Sequence, residues 1–501
     1  MNIKIGIDDM TSDLLNYFIA QDQTSEDKLF MAEADKYMNV KNTSISSRRK
    51  MMMLVDEQDN PYVKEDLSKA NNKAKHSYLQ ELVNQCTNYL AGKPIKIDYK
   101  KEIAEKHKDE VDDQLYRDNN FLGFLQKNID YIQRYGKTFM RIVKNENKIK
   151  FVTYDPKEMI IFYDEFDEPI LAIRYFSKDE LDEKKKGLVK VHYAEVFDNE
   201  YKVTFKKTKK GQWEKGEKEL VYANKVTYSD EEGNEVKSEV TSLDVPVFPI
   251  IEWKFNDEAV PTLANIKDFI DLQDTNLSDL ANNVEDIQEA IWILENYNGQ
   301  NLKEFMEDLK VKKALKVGQG GSAHTETIDI PIEARAKLYE LCDKNIYKFG
   351  FGINFSERDS LGNVTGVALK WSYAPLEQKA NAIENNGQEP LNNFFNILFA
   401  LMGLKYDSND LEFIFDRTMI ANEQEQTSTI MSASQVLSRK TVLSNLPMVK
   451  DVEEEMEELD GEDEYDEPVP TTTDNAGEEN EEEDKKGNED TSKLPANGDD
   501  E

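Results

Sequence analysis

The sequence predicts an α+β protein, and three features carry that reading. Apolar residues recur at helical spacing up to about residue 135, alternate with polar residues from 138 to 255, and return to helical spacing after Pro261. Two long helices flank a compact insert in the last of these stretches. The final 50 residues are almost devoid of apolar side chains.

The first 70 residues read as polar helices, punctuated by turn residues at Asn39–Ser47 and Asn60-Pro61. A clear amphipathic helix is expected from Asn72 to Tyr89, because Tyr78, Leu79, Leu82, Val83, Cys86 and Tyr89 fall three and four apart. Gly92 and Pro94 stop it. A second helix is expected over Lys106–Arg134, ending at Gly136. The period then changes to two. Strands follow at Thr138–Val143, Ile149–Tyr154, Met159–Tyr163, Ile170–Phe176, Leu188–Phe197, Tyr201–Lys207 and Gln212–Tyr222. Val245–Phe255 adds another, which Pro246 and Pro249 place at a sheet edge.

Beyond Pro261, Leu263, Ile266, Ile270, Leu277, Leu280 and Val284 trace one face of a long helix. Its other face is acidic, with Asp268, Asp271, Asp274, Asp279, Glu285, Asp286 and Glu289. The insert comprises a strand at Ile291–Leu294, a helix at Leu302–Leu309, a strand at Ala314–Val317, a glycine-rich turn and a strand at Thr325–Ile330. Pro331 opens a helix over Ile332–Phe349, and a polar loop leads to a helical tract from Val367 to Met402, interrupted at Pro375, Gly387 and Pro390. A strand at Leu411–Asp416 and helices at Glu423–Leu437 and Val449–Leu459 follow, and residues 461–501 are expected to be disordered.

Composition narrows the function. The chain has 501 residues and a mass of 57.9 kDa, enough for two or three folding units. Its net charge is −37, from 63 basic and 100 acidic residues. Residues 451–501 hold 24 acids against three lysines, a net −21, which leaves −16 for the first 450. Passive capture of nucleic acid needs clustered Lys and Arg, and the balance here is the reverse. The longest apolar stretch falls short of a membrane-spanning helix, and the N-terminal residues lack an apolar signal core, so no membrane partner is expected. Cys86 and Cys342 are too few for a disulfide framework or a cysteine zinc site.

Enzyme signatures are weak. Gly318-Gln319-Gly320-Gly321-Ser322-Ala323 matches a dinucleotide pattern, but such a site opens a helix, and here a strand is expected next. The four histidines, His76, His107, His192 and His324, show no ligand-like pairing. No catalytic residue, cofactor or metal site is expected, and the chain is read as a non-enzyme. Two features remain. Carboxylates along a helix would repel DNA evenly and let it slide through a channel; a solvated helix face would show the same spacing. The loop Asn354, Phe355, Ser356, Glu357, Arg358, Asp359, Ser360, Leu361, Gly362, Asn363, Val364 and Thr365 is long for a helix–helix connection, and its composition suits mobility.

Four segments in order resemble the portal proteins of long-tailed phages of Gram-positive bacteria, the SPP1-like portal family. They are Asn71 through Ile95 with its Gly92-Lys93-Pro94 ending, Ser278 through Ile291, Ile346 through Gly350, and Thr365 through Lys370. The resemblance spans about residues 30–450 and implies a portal fold. An N-terminal arm (1–30) would precede a wing of helices and antiparallel strands (31–257). A stem helix (258–283), an α/β clip (284–329) and a second stem helix (330–350) would follow. Then would come a tunnel loop (351–366), a kinked wing helix (367–403), a helical crown (404–460) and the acidic tail (461–501). It implies a homo-oligomeric ring, usually a dodecamer, at one vertex of the virion capsid, assembled in the bacterial host cytoplasm. Double-stranded DNA would pass through it without sequence specificity. The tunnel loop, Asn354 to Thr365, would line the narrowest point, and the stem acids Asp268, Asp271, Asp274 and Asp279 would face the channel. The clip would contact the terminase large subunit and the head–tail adaptor through Glu285, Asp286, Glu289, Asn296, Tyr297, Glu304, Lys312 and Lys313. Major capsid and scaffold proteins would complete the partners. The competing expectation is an acidic DNA-mimic or chaperone-like module that captures basic proteins through its tail.

Overall fold

The computed structural model describes residues 5–286, 291–295, 321–326, 331–355, 371–405, 411–418, 423–446, 448–449, 452, 455–456 and 458–459. Positions 57, 59, 68, 101, 102, 104, 105, 146, 147, 183–186, 230–234, 244 and 246 are excepted. The chain divides into two units, Met1–Ile420 and Ala421–Glu501.

The first unit mixes helices with antiparallel strands, as expected. Helices α1 (Ser12–Gln23) and α2 (Glu26–Met38) are capped by Thr11 and Ser25, whose hydroxyls accept from the Leu14 and Lys28 amides. Strands β1 (Met51–Val55) and β2 (Pro61–Glu65) form a hairpin that the helical reading of residues 10–70 did not contain. A Met-Met-Met-Leu run without β-branched or aromatic residues carries little strand signal. Helix α3 (Tyr78–Ala91) begins six residues later than expected, because residues 71–77 are not helical and Ser77 is its N-cap. Strand β3 (Lys96–Tyr99) comes next.

The expected single helix over Lys106–Arg134 is instead broken in two: α4 (Lys108–Asp112) runs into one π turn, and α5 (Phe121–Tyr135) starts anew. Asn119 and Asn120 make the break. Asn120 caps α5 by accepting from the Gly123 amide, and the Asn119 amide group donates to the carbonyls of Gln114 and Ile149. Gly136 ends α5 at φ 81°, and a Cβ there would stand 1.7 Å from the Ala259 carbonyl oxygen, so only glycine fits.

Next come β4 (Lys137–Asn145), β5 (Lys148–Tyr154), β6 (Met159–Tyr163), β7 (Pro169–Asp182), β8 (Gly187–Phe197), β9 (Tyr201–Lys207) and β10 (Trp213–Leu220). A further hairpin, β11 (Ala223–Ser229) and β12 (Glu235–Ser242), precedes β13 (Ile251–Lys254). One sheet has the order β10-β9-β8-β7-β6, and a second has β13-β4-β5; β13 is an edge strand as expected, but it is shorter than Val245–Phe255 and starts after both prolines. The first residues pack α1 on the larger sheet. Leu15 and Ile19 meet Ile173, Val196 and Phe205, and the Trp213 indole N–H donates to Asn16 at 2.9 Å.

Helix α6 (Thr262–Asp286) is followed by β14 (Ile291–Glu295) and β15 (Ser322–Glu326), which pair antiparallel. A strand therefore stands directly after the glycine-rich run, where a dinucleotide site would open a helix. The expected helix Leu302–Leu309 and strand Ala314–Val317 lie outside the described residues. Helix α7 (Ile332–Gly350) returns alongside α6.

The later helical tract is two helices, α8 (Ala374–Asn385) and α9 (Gln388–Met402). Pro375 sits in the first turn of α8 and bends nothing, since a first-turn proline loses no helical bond. The discontinuity falls at Asn386-Gly387. A Cβ on Gly387 would lie 2.4 Å from the Trp253 ring, and the Trp253 indole N–H donates to the Ile383 carbonyl at 3.2 Å. Strand β16 (Leu411–Ile414) pairs with β3. The main core gathers Leu125, Ile129, Phe139, Trp253, Phe394 and Phe399 from α5, β4, β13 and α9. In the second unit, α10 (Glu423–Ala433) and α11 (Arg439–Asn445) are helices, and Ser438 caps α11 through the Thr441 amide.

Candidate functional site: the paired helices α6 and α7

The polar stripe of α6 is a seam. Asp274 is fully buried. Its carboxylate accepts from Asn42 at 2.7 Å, from Ser44 at 2.7 Å, and from both the backbone amide (2.9 Å) and ring Nδ1 (2.7 Å) of His76. One turn on, the Ser278 hydroxyl accepts the Ala74 amide at 3.0 Å, and one turn beyond that Asn282 accepts the Asn72 amide at 2.6 Å. Alternate amides of an extended segment thus meet every fourth side chain of a helix. The spacings agree: two extended residues rise about 6.6 Å and four helical residues about 6.0 Å. This commensurate docking is why residues 72–77 do not join α3.

Further along the stripe, Asp271 accepts from the Tyr37 hydroxyl and from Lys267 at 2.6 Å, and Asp279 pairs with Arg48. Burial and the bond to Asp271 push the Tyr37 hydroxyl up to about 12. Burial alone would lower the Lys267 ammonium, but the bond to Asp271 and the neighbouring Tyr37, Asp271 and Glu33 together outweigh it and raise it. Three of the four acids expected to face a channel are therefore engaged within their own subunit. Asp274 cannot line a channel, because a buried carboxylate holding four donors is closed to any outside ligand. Asp268 is exposed.

Glu285 is exposed and accepts from the Asn72 side-chain amide at 2.8 Å, and Asp286 ends α6. Glu289, Asn296, Tyr297, Glu304, Lys312 and Lys313 lie outside the described residues, as do Ser356, Glu357, Arg358, Asp359, Ser360, Leu361, Gly362, Asn363, Val364 and Thr365. Asn354 is described and donates to Asp343 of α7.

The root of that loop is held tightly. Phe351 caps α7 at φ 57°, and the Gly352 amide returns to the Tyr347 carbonyl at 2.9 Å. The Ile353 amide donates to Gln85 at 2.9 Å, and the Gln85 amide group donates back to the Ile353 carbonyl at 3.0 Å. Gly350 and Gly352 lie against Leu82, where a Cβ would come within 2.5 Å and 2.1 Å of its methyl groups. From α8, buried Lys379 reaches the Gly350 carbonyl at 3.5 Å. Gln85 and Lys379 escaped the sequence reading, since helical spacing marks both only as members of α3 and α8.

Residues 20–469 match the family described as phage portal protein, SPP1 Gp6-like. The chain belongs to this family. Its function is that of a portal protein of a tailed phage, a structural part of the virion. The portal protein of Bacillus phage SPP1 is 28% identical over 420 residues, which cover 79% of this chain and 77% of the relative. That of Clostridium phage phiCD119 is 32% identical over 211 residues, 41% of this chain and 46% of the relative. Among solved structures, a chain from the neck of an empty gene transfer agent particle is 10% identical at a TM-score of 0.42. It covers 73% of this portal chain and 88% of its own length. The acidic chaperone-like alternative finds no support in these matches. Among the described residues, no helix is long and apolar enough to cross a membrane, and no group of His, Cys, Asp and Glu could hold a metal ion.

Proposed function

We propose that this portal protein closes into a ring, a dodecamer in its virion form, through which double-stranded DNA is packaged and ejected without sequence specificity. Residues 31–257 and 367–403 form the wing, 258–283 and 330–350 the stem, 284–329 the clip, 351–366 the tunnel loop and 404–460 the crown. The clip meets the terminase large subunit and then the head–tail adaptor, while the wing and crown contact major capsid and scaffold proteins. Assembly takes place in the bacterial host cytoplasm. The chain performs no catalysis and holds no cofactor.

One observation carries this reading: a rigid antiparallel helix pair, α6 and α7, ends in a loop whose root is clamped at Ile353 by Gln85. A loop that lines a channel needs a fixed base and a free tip, and the tip from Ser356 to Thr365 is the proposed DNA contact. With Asp271, Asp274 and Asp279 engaged inside the subunit, Asp268 remains the proposed channel acid of the four. The stem therefore presents less negative charge than its sequence suggests.

Negative-stain imaging of the purified full-length chain tests the reading. Top views with a central hole and about twelve-fold symmetry are the expected result. Particles of one or two subunits at every salt concentration, persisting when scaffold protein is added, would overturn it.

A further inference from the structure

Strand β8 outruns its neighbour β9. Its pairing with β7 continues to Gly187 opposite Asp182, but its pairing with β9 ends at Tyr193 opposite Lys206. The β9–β10 turn then closes, with the Gly211 amide bonded to the Thr208 carbonyl at 3.0 Å and the Thr208 amide to the Gln212 carbonyl at 2.7 Å. Residues 187–192 therefore have a strand on one side and, among the described residues, no register partner on the other. Alternate residues of an antiparallel strand turn their amide and carbonyl to opposite sides, so this edge offers a short row of donors and acceptors to a further strand. The edge is one wall of a cleft of about 770 Å3, and the β9–β10 turn from Lys206 to Gly211 is the other.

The two faces of that edge differ. Leu188, Lys190 and His192 are exposed on one, and the register puts Lys207 of β9 on the same face. Val189 and Val191 are half-buried on the other. The cleft is basic: Lys190, Lys206, Lys207 and Lys209 line it, and Glu180 is the one acid among its described lining residues. Glu180 is already held by Lys206 at 2.9 Å and by the Tyr193 hydroxyl. Asp179, opposite Lys190, and Glu214, opposite Lys206, each stand one strand back from the cleft, on β7 and β10. Lysines on a strand edge ordinarily keep other chains from pairing there. They do so selectively, because they repel a basic strand and attract an acidic one.

We infer that the β8 edge at residues 187–192 takes up an extended segment of a partner protein as an added strand. Acidic residues of that segment face Lys190 and Lys207, and they alternate with apolar residues that cover Val189 and Val191. Main-chain bonds supply the affinity of such a contact and the alternation supplies its specificity. A nucleic acid would use the lysines and leave the strand edge unpaired. The inference does not depend on ring formation. The probe is a fluorescein-labelled peptide, Glu-Val-Glu-Val-Glu-Val-Glu, titrated into the full-length chain and read by anisotropy. Binding is expected, with hydrogen exchange slowed at residues 187–192. The same peptide N-methylated at its central valine and the next glutamate keeps every charge but has no continuous edge of donors, and it should bind at least about tenfold more weakly. Lys190→Glu with Lys207→Glu should weaken the unmodified peptide by at least about tenfold as well. Lys127→Glu with Lys148→Glu, an equal change of charge at exposed sites on α5 and β5, should leave its binding unchanged. No binding, or protection at other segments only, would overturn the added strand. Equal binding of the methylated peptide would overturn it too, since charge alone would then suffice. Displacement by an equal concentration of a short DNA duplex would assign the cleft to phosphate instead.

Discussion

Gln85 and Ile353 hold each other by two hydrogen bonds, with the side-chain amide of one imitating a strand partner for the backbone of the other. Ile353 is itself buried, so neither backbone group can turn to water. Gln85→Ala strands a buried donor and a buried acceptor, a cost of about 2–4 kcal/mol. The expected signature is local. Hydrogen exchange at the Ile353 amide and protease cleavage after residue 353 should accelerate well before global unfolding. Unchanged exchange at that amide would show that the loop root is held by other contacts.

Asp274 gives the second prediction. Replacing it with alanine leaves Asn42, Ser44 and both donors of His76 facing an empty buried space. A loss of about 3–5 kcal/mol is expected in urea unfolding, as when one partner of a buried charged cluster is removed. Asp274→Asn keeps an acceptor oxygen and should lose less. Residues 40–77 should become the first site of proteolysis in the alanine variant, because the stripe of α6 is what holds them.

The legibility of this fold follows the range of its interactions. The strands from 137 to 220 alternate because each buries one face locally, and their limits were readable to within a few residues for most of them. The seam on α6 was not. Asp271, Asp274 and Asp279 carry the spacing of a solvated helix face, and that spacing is identical when the face is covered by residues about 200 positions earlier. The same distance hid the course of residues 72–77, where the backbone amides of Asn72, Ala74 and His76 all donate to α6. Asn119 and Asn120 break the helix through their side-chain bonds, but the strong apolar periods on either side of them read as one continuous helix. The resemblance to portal proteins gave α6 and α7 an expected role as a stem, yet it could not say which of their side chains the subunit uses for itself.

Asp35 predicts an acid limb of stability. Burial alone would raise its carboxyl, but bonds from Lys157 and Tyr135 and the nearby Arg134 hold it below its ordinary 3.8. The unfolded chain therefore binds the proton more readily, so the stabilisation is complete above pH ~4 and fades as pH falls through the lower folded value. Asp35→Asn should be less stable than wild type at neutral pH, and the gap between the two should close below pH ~4. A gap that stays constant down to pH 2 would mean that Asp35 is not held ionised by these partners.

Lys379 predicts a second window in which stability rises with pH, and a gain where deletion of a charged group is usually a loss. Its amine is buried in the core, with the Gly350 carbonyl at 3.5 Å and the Cys86 thiol nearby. Burial lowers its affinity for a proton, and Cys86 offsets this only in part. Below the ordinary 10.5 of the unfolded chain, the unfolded state is the better proton binder, so wild-type stability should rise with pH through the window between the folded and unfolded values. Lys379→Met keeps the length and apolar stem while removing the amine, and should be more stable at pH 7 by about 1–3 kcal/mol. Its advantage should shrink as pH approaches 10. The change also frees the last carbonyl of α7, so exchange at the Gly352 and Ile353 amides reports whether the amine steadies the loop root. Faster exchange in a globally more stable protein would mean that the buried lysine serves the loop at the expense of the fold. Slower exchange at both amides would mean that it is only a cost.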